Sequence, residues 1–384
     1  MFKKIIIITY IVLSFNFNSF ADENQKSLKI GLLAPFSGEY KDMGQSIMLS
    51  LQLALDEIKD DNIKIFPRDS GFNNEEKLIQ SIESLREEDI KIVIGPISHE
   101  DFYSALNYKD MIFISPSNIN PKVQSNILSV GISLESQIKS IEEFIKKKKR
   151  KKTIIMYPKN KYTNLIDSKI ENLNINNKKI FKYSADPKVL TSDIEKLTNY
   201  KQRKRNLISR VKILEEKDDE ASKLELKRLE QKYTIGKVNF DSVIISDFDE
   251  SLKSVITSLL YTDISPKKKI IITFNQWFDK SLQNEKAIQP IYYPSINKKN
   301  LEDFEIKFIK EFNESPNYLS LLTYDLVGLV YYLSLKNDFK NSVSLFKNKN
   351  SFKGKIGIFD IKDNKINHRL NFYKVENGKL KKIF

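Results

Sequence analysis

The sequence predicts an α/β protein of two lobes, each a mostly parallel sheet with helices on both faces, plus a helical hairpin insert in the second lobe. Three observations lead there. A strand, a loop and a helix recur four times before Gly131. The theme restarts after it, and residues 197–233 interrupt it with charge-dense helical periodicity. At 384 residues the chain is too long for one ordinary domain of roughly 150 residues. Its 40% hydrophobic and 11% aromatic content can fill two cores.

The first unit sets the pattern. Leu28–Leu33 is an apolar run short enough for a strand buried on both faces. The stretch Ala34-Pro35-Phe36-Ser37-Gly38 stops it, because Pro35 has no N–H and Gly38 tolerates positive φ. Ile47, Leu51, Ala54, Leu55 and Ile58 then recur at helical spacing, with Asp56 and Glu57 outward. Ligands of such sheets sit at the carboxyl ends of the strands, here the 35–44 loop. Ile63–Phe66 follows as a strand with Arg68–Gly71 as its exit, and Glu75–Leu85 as a helix striped by Leu78, Ile79, Ile82 and Leu85. Ile90–Ile94 is a strand ending at Gly95-Pro96, where Ser98-His99 opens the next helix. Met111–Ile114 is another, followed by Ser115-Pro116-Ser117-Asn118.

Beyond Gly131, Glu135–Ile145 reads as a helix and Lys146–Lys152 as a run of seven basic residues before the strand Thr153–Met156. Cations at a helix C-terminus complement its dipole, which favours a structural role for the run over a binding patch. Residues 197–233 contain no Gly or Pro. Leu207, Val211 and Leu214, then Leu226, Leu229 and Tyr233, give two helices broken at Lys217–Glu220. This hairpin is either a partner-binding arm or a decoration of the lobe. Ser242–Ser246 and Lys269–Phe274 read as strands, Leu252–Tyr261, Leu301–Phe312 and Leu319–Leu335 as helices. Residues 354–360 and 367–372 read as hairpin strands closing the second lobe.

Residues 1–21 have the form of a secretion signal: Lys3-Lys4, an apolar Ile5–Leu13, and Ser19-Phe20-Ala21 for cleavage. No later stretch reads as a membrane span. There is no cysteine, so disulfides, thiolate chemistry and a lipidated N-terminal cysteine are not expected. The expectation is a periplasmic, exported protein that is not a lipoprotein. The formal charge of +14 reads as a lysine-rich solvated face, with contact to an anionic membrane or cell-wall surface as the alternative. Nucleic acid is not an expected partner, because basic and aromatic residues do not interleave as in stacking platforms. Phosphate-cradling, dinucleotide and nucleophile-elbow motifs are absent. The two histidines, His99 and His368, have no second histidine at ligand spacing, and His99-Glu100-Asp101 reads as an acidic helix start. No enzyme, metal or cofactor is expected.

The stretch KIGLLAPFSGEYKDMGQSIMLSLQLALDEI resembles the opening of the type I periplasmic binding proteins, the superfamily of the leucine, isoleucine and valine binders. Within it, NQWFDKSLQNEKAIQPIYYPS, ESPNYLSLLTYDLVGLVYYL and SFKGKIGIFDIKDNKINHRLNFYKVENGK resemble the penicillin-binding-protein-activator branch. The resemblance implies two hinged lobes, residues 28–132 with 294–345 and residues 133–293 with 346–384, crossed near Gly131, Pro294 and Leu345. It implies a cleft in which Tyr162 matches a tyrosine of the amino acid binders. Where those binders carry a serine, a threonine and an ammonium-pairing glutamate, this chain has His99, Ile119 and Gln276. The ligand candidates are Ser37, Met43, Ser98, His99, Ser117, Asn118, Tyr162, Asp247 and Gln276, most of them at strand exits, where loop-capping is the alternative role. Two functions follow from the resemblance. One is the binding of a small polar solute, an amino acid or peptide, for a membrane transporter permease. The other is an envelope regulator that contacts a peptidoglycan synthase or takes a cell-wall fragment, although this chain lacks the activators' lipidated cysteine and helical-repeat extension.

Overall fold

The computed structural model describes residues 27–119, 126–171, 173–337, 345–346, 349–362 and 365–384. The expected signal at 1–21 lies outside them. The first sheet contains β1 (Leu28–Ala34), β2 (Ile63–Asp69), β3 (Ile92–Ile94), β4 (Ile112–Ser115) and β5 (Ile127–Ser129), all parallel, in the order β2-β1-β3-β4-β5. Helices α1 (Lys41–Ile58), α2 (Glu75–Glu87) and the short α3 (Phe102–Ala105) connect these strands. Helix α1 starts close against the β1 exit loop: a Cβ at Gly44 would lie 1.9 Å from the Pro35 carbonyl oxygen, so only glycine permits the approach.

The second sheet begins after α4 (Leu134–Lys147). It gathers β6 (Thr153–Pro158), β7 (Lys178–Tyr183), β8 (Ser242–Ile245), β9 (Ile270–Thr273) and β10 (Ile291–Ser295) as parallel strands. Between them lie α5 (Thr163–Ile170), α6 (Pro187–Thr198), the arm helices α7 (Tyr200–Glu215) and α8 (Glu220–Leu229), α9 (Asp249–Tyr261) and α10 (Lys280–Asn284). The arm is the hairpin expected from periodicity. Its helices are joined by Arg210, whose Nε and Nη2 donate to the two Glu225 oxygens at 2.9 and 2.6 Å.

The chain then returns to the first lobe as α11 (Lys298–Phe312) and α12 (Tyr318–Lys336), followed by a small antiparallel sheet of β11 (Asn350–Lys353), β12 (Ile358–Lys362) and β13 (Lys365–Arg369). Strands β14 (Asn371–Glu376) and β15 (Lys379–Lys382) complete the second sheet antiparallel, in the order β15-β14-β10-β9-β8-β6-β7.

Two expectations are corrected here. Helix α12 is long and apolar enough to cross a membrane, contrary to the reading that no such stretch follows the signal, but 67% of its apolar window is buried inside the protein. It is the central helix of the first lobe: Leu321, Leu326, Val327, Leu329, Val330 and Leu333 are fully buried. Each such side chain withdraws about 1.5–3 kcal/mol worth of apolar surface from water. Ser320 Oγ meets Ser46 Oγ at 2.7 Å, tying α12 to α1.

The second correction concerns 350–369, expected to close the second lobe. Phe352, Phe359, Ile361 and Ile366 instead pack into the same core as α12. The fully buried Asp325 carboxylate explains why, since it accepts Lys355 N–H at 2.7 Å and Ile356 N–H at 2.8 Å. A Cβ at Gly354 would sit 2.1 Å from an Asp325 oxygen, so glycine is needed for that approach too. The third passage between the sheets therefore falls at Leu370, between β13 and β14, and not near Leu345.

Candidate functional site

Parallel strands place their exit loops on one edge of each sheet, and the three passages between sheets, at 130–133, 296–297 and 370, run beside those edges. The passages are tied to one another. His368 is buried; its Nε2 bonds the Val130 carbonyl at 2.8 Å, and its N–H donates to Ser136 Oγ at 3.0 Å. Burial pushes the His368 imidazole down to about 4, so the ring is neutral at physiological pH. Tyr373 OH donates to the Ile296 carbonyl at 2.9 Å and accepts Lys298 N–H at 3.1 Å. Gln137 accepts Asn275 N–H at 2.7 Å and donates to the Ile132 carbonyl at 3.2 Å, while Ser295 donates to Asn275 Oδ1 at 2.7 Å.

Across the exits, the candidate side chains differ in what engages them. Ser98, Ser117 and Gln276 are occupied by their own loops. Ser98 Oγ accepts Glu100 N–H at 3.3 Å, and Ser117 Oγ accepts Ile119 N–H at 3.2 Å. Gln276 is buried, and its Nε2 donates to Thr273 Oγ1 at 3.0 Å and the Asp247 carbonyl at 3.1 Å. Asp247 lies beside it: its Oδ2 accepts Tyr183 OH at 2.6 Å and its Oδ1 accepts Phe248 N–H at 3.0 Å. Burial raises the Asp247 carboxyl above its usual range, despite the Tyr183 hydrogen bond that opposes the shift, and burial raises the Tyr183 phenol as well.

Ser37 is exposed and accepts Lys77 Nζ at 2.7 Å. Lys77 also pairs with Asp69 at 2.5 Å. Burial pushes the Asp69 carboxyl up, but hydrogen bonds from Lys77, Ser37, Gly71 N–H and Phe36 N–H outweigh it and hold the group well below the carboxylate range. Asn118 and Tyr162 are exposed, His99 and Met43 half-buried. The structure brings Asp247 and Gln276 together, and Ser117 with Asn118. Among the described residues no hydrogen bond joins a first-lobe candidate to a second-lobe candidate, and no cluster of three His, Asp or Glu can hold a metal ion.

A further contact between the lobes involves residues that were not among the candidates. Trp277, in the β9 exit loop, stacks on Tyr318 at the start of α12 with ring centroids 4.8 Å apart and planes 17° apart. Trp277 and the next residue, Phe278, both hold left-handed backbone, at φ 48° and 62°. Such a turn is strained for aromatic residues. It sends Phe278 into the core against Tyr373 at 5.1 Å while Trp277 meets Tyr318. Their sequence signal was weak: one tryptophan after a strand, with its partner about forty residues away in the chain.

Two α/β lobes with mostly parallel sheets, joined by three passages beside the strand exits, define the type I periplasmic binding fold. The model of the periplasmic binding protein family matches residues 27–172. Solved structures share the architecture at low identity. The branched-chain amino acid transporter substrate-binding protein LivJ from Streptococcus pneumoniae, in complex with isoleucine, is 19% identical with a TM-score of 0.53, covering 93% of this chain and 98% of that one. The C-domain of LpoA from Haemophilus influenzae, a regulator of PBP1A, is 14% identical with a TM-score of 0.62, covering 93% and 100%. A putative branched-chain amino acid ABC transporter from Rhodospirillum rubrum is 11% identical with a TM-score of 0.68, covering 93% and 100%. No curated protein matches the sequence.

Proposed function

We propose that this is an exported, non-catalytic protein of the periplasmic-binding fold that acts in the cell envelope by contacting a protein partner, in the manner of the regulators of peptidoglycan synthases. The observation that carries the proposal is Gln276. Its amide is spent on Thr273 and on the Asp247 backbone inside the second lobe, so the position offers a ligand neither a charge nor a free donor. Ser98 and Ser117 each accept an N–H of their own loop. A free amino acid bound there would bury its ammonium without a counter-charge, which is costly. The likeness to the LpoA C-domain, a regulator of PBP1A, supports the same reading. The domain limits 28–132 with 294–345 and 133–293 with 346–384 are then best redrawn with 346–369 in the first lobe.

Thermal unfolding against leucine, isoleucine, short peptides and muropeptides tests the cleft, and surface plasmon resonance against a bifunctional peptidoglycan synthase tests the contact. The expected result is no midpoint shift with amino acids and saturable binding to the synthase. A ligand at about 100 times its dissociation constant adds about 2.7 kcal/mol, so a genuine amino acid receptor would be unmistakable and would overturn the reading. The solute-receptor alternative retains one specific support. Asp247 is a half-buried carboxylate beside the exit carrying Gln276, and exposed Tyr162 follows the neighbouring strand β6.

A further inference from the structure

The end of the second sheet away from the cleft holds a cavity of about 450 Å³. Three segments converge on it: α7 through Arg203, the 231–238 stretch leaving the arm, and the 263–269 turn before β9. Because β8 and β9 run parallel from Ser242 and Ile270, this is the amino-terminal edge of the sheet. Its lining sets five cations, Arg203, Lys232, Lys237, Lys268 and Lys269, against one acid, Asp263.

That acid is already engaged. Asp263 accepts Thr234 Oγ1 at 2.7 Å and faces Arg203 Nη2 at 3.6 Å. Arg203, only 7% exposed, donates to the Thr262 carbonyl at 3.0 Å and to Thr234 Oγ1 at 2.6 Å. Its Nε is buried without a partner among the described residues. Lys269 is half-buried and donates to the Phe240 carbonyl; burial and the Arg150 and Arg203 charges lower its pKa against the opposing pull of Asp241. Among the described residues no ion pair engages Lys232, Lys237, Lys268 or Lys269, although seventeen other basic side chains, Arg203 included, are paired.

Like charges gathered in a concave, partly desolvated site repel one another unless a counter-charge enters. Lysine ammonium groups act as point charges suited to phosphate, and a phosphate monoester carries about two negative charges. The volume is that of a small-molecule site. We propose that this cavity at the root of the arm binds a phosphate group, held by Lys232, Lys237, Lys268 and Lys269 against a wall fixed by Arg203. The group is carried either by a soluble phosphorylated molecule or by a phospholipid headgroup. The site is independent of the cleft.

Two probes separate the sources: sodium pyrophosphate by isothermal titration at low salt, and flotation with phosphatidylcholine vesicles with and without phosphatidic acid. The discriminating variant is Lys232→Gln/Lys237→Gln/Lys268→Gln, three exposed positions whose side chains make no described ion pair. Its control is Lys379→Gln/Lys381→Gln/Lys382→Gln, which removes the same charge from β15. Saturable pyrophosphate binding weakened about tenfold or more by the cavity variant alone supports a soluble ligand. Binding confined to phosphatidic acid vesicles, with the same selective loss, supports a headgroup. No binding to either probe, an unchanged cavity variant, or equal weakening by the control overturns the site.

Discussion

The two ends of the second-lobe sheet are built from the same strands and treat polarity in opposite ways. At the exit end, Gln276, Asp247, Tyr183 and Thr273 satisfy one another, and the charge that remains is pushed toward neutrality by burial. At the entry end, cations accumulate with a single acid among them, and that acid is taken. A polar group that has found its partner inside the fold contributes stability and little recognition, whereas an unpartnered one keeps its capacity to bind. At the exit end the expected ligand residues already have partners within the fold, and at the entry end the unpaired lysines underlie the proposed phosphate site.

The hardest test of this contrast is Arg203, the one entry-end cation held in an ion pair. Arg203→Met removes its donors to Thr262 and Thr234 and leaves Asp263 facing an apolar side chain. Breaking a buried charge pair costs about 4 kcal/mol, to be read from the urea midpoint of the protein. A loss below about 1 kcal/mol would mean that the guanidinium is not the anchor of the arm.

Next in size is a pH effect on the cleft side. His368 is neutral in the fold, with its pKa lowered from 6.5 to about 4 by burial. The native state therefore binds fewer protons than the unfolded chain across that window, so this contribution is full above pH 6.5 and is lost as pH falls toward 4. The stability difference between the parent protein and His368→Gln should shrink by about 3 kcal/mol over that range. Asp325 has the opposite sign. Its carboxyl is raised to about 7 by burial, so its contribution is present at low pH and is lost as pH rises from 3.8 toward 7. The parent profile is thus flatter than either Asp325→Asn or His368→Gln, and a steep parent profile would contradict the burial of one of the two.

Gln276→Leu comes third. It strips the amide that joins the β8 and β9 exits and should cost about 2 kcal/mol in urea unfolding. If the variant instead gains stability while leucine binding is lost, the amide was facing a ligand and the cleft reading fails. Trp277→Ala is smaller still, about 1 kcal/mol for the stack on Tyr318, with a wider interlobe distance distribution by fluorescence energy transfer.

What the sequence made legible follows the same division. Strands buried on both faces, such as Ile92–Ile94 and Ser242–Ile245, announce themselves by composition, and α7 and α8 by periodicity, because each signal is local. The placement of 350–369 was misread because a two-residue alternation says which face is apolar and not which lobe it meets. Asp325, whose carboxylate draws that hairpin onto α12, lies about thirty residues away. The role of the exit-loop serines was left open in the sequence for a related reason. A hydroxyl that caps its own loop and one that faces a ligand have the same spelling, and only geometry such as Ser117 Oγ to Ile119 N–H at 3.2 Å separates them. The entry-end lysines were invisible because they come from segments on both sides of β8.

The smallest effect is expected on the arm, and it bears on the proposed protein partner. Leu214 and Leu229 are buried at 2% and 5% exposure, while Ile208, Leu224 and Tyr233 stand 60%, 54% and 76% exposed. Apolar side chains already in water lose nothing on replacement, so Ile208→Ser with Leu224→Ser should change stability by no more than about 0.5 kcal/mol. A clearly larger loss would show that these side chains are covered in solution, by the lobe or by a second copy, which a concentration series of the midpoint distinguishes. With stability unchanged, the same variant becomes a clean probe of the partner. Weaker binding to the synthase then locates the contact on the arm, and unaltered binding moves it to another face of the protein.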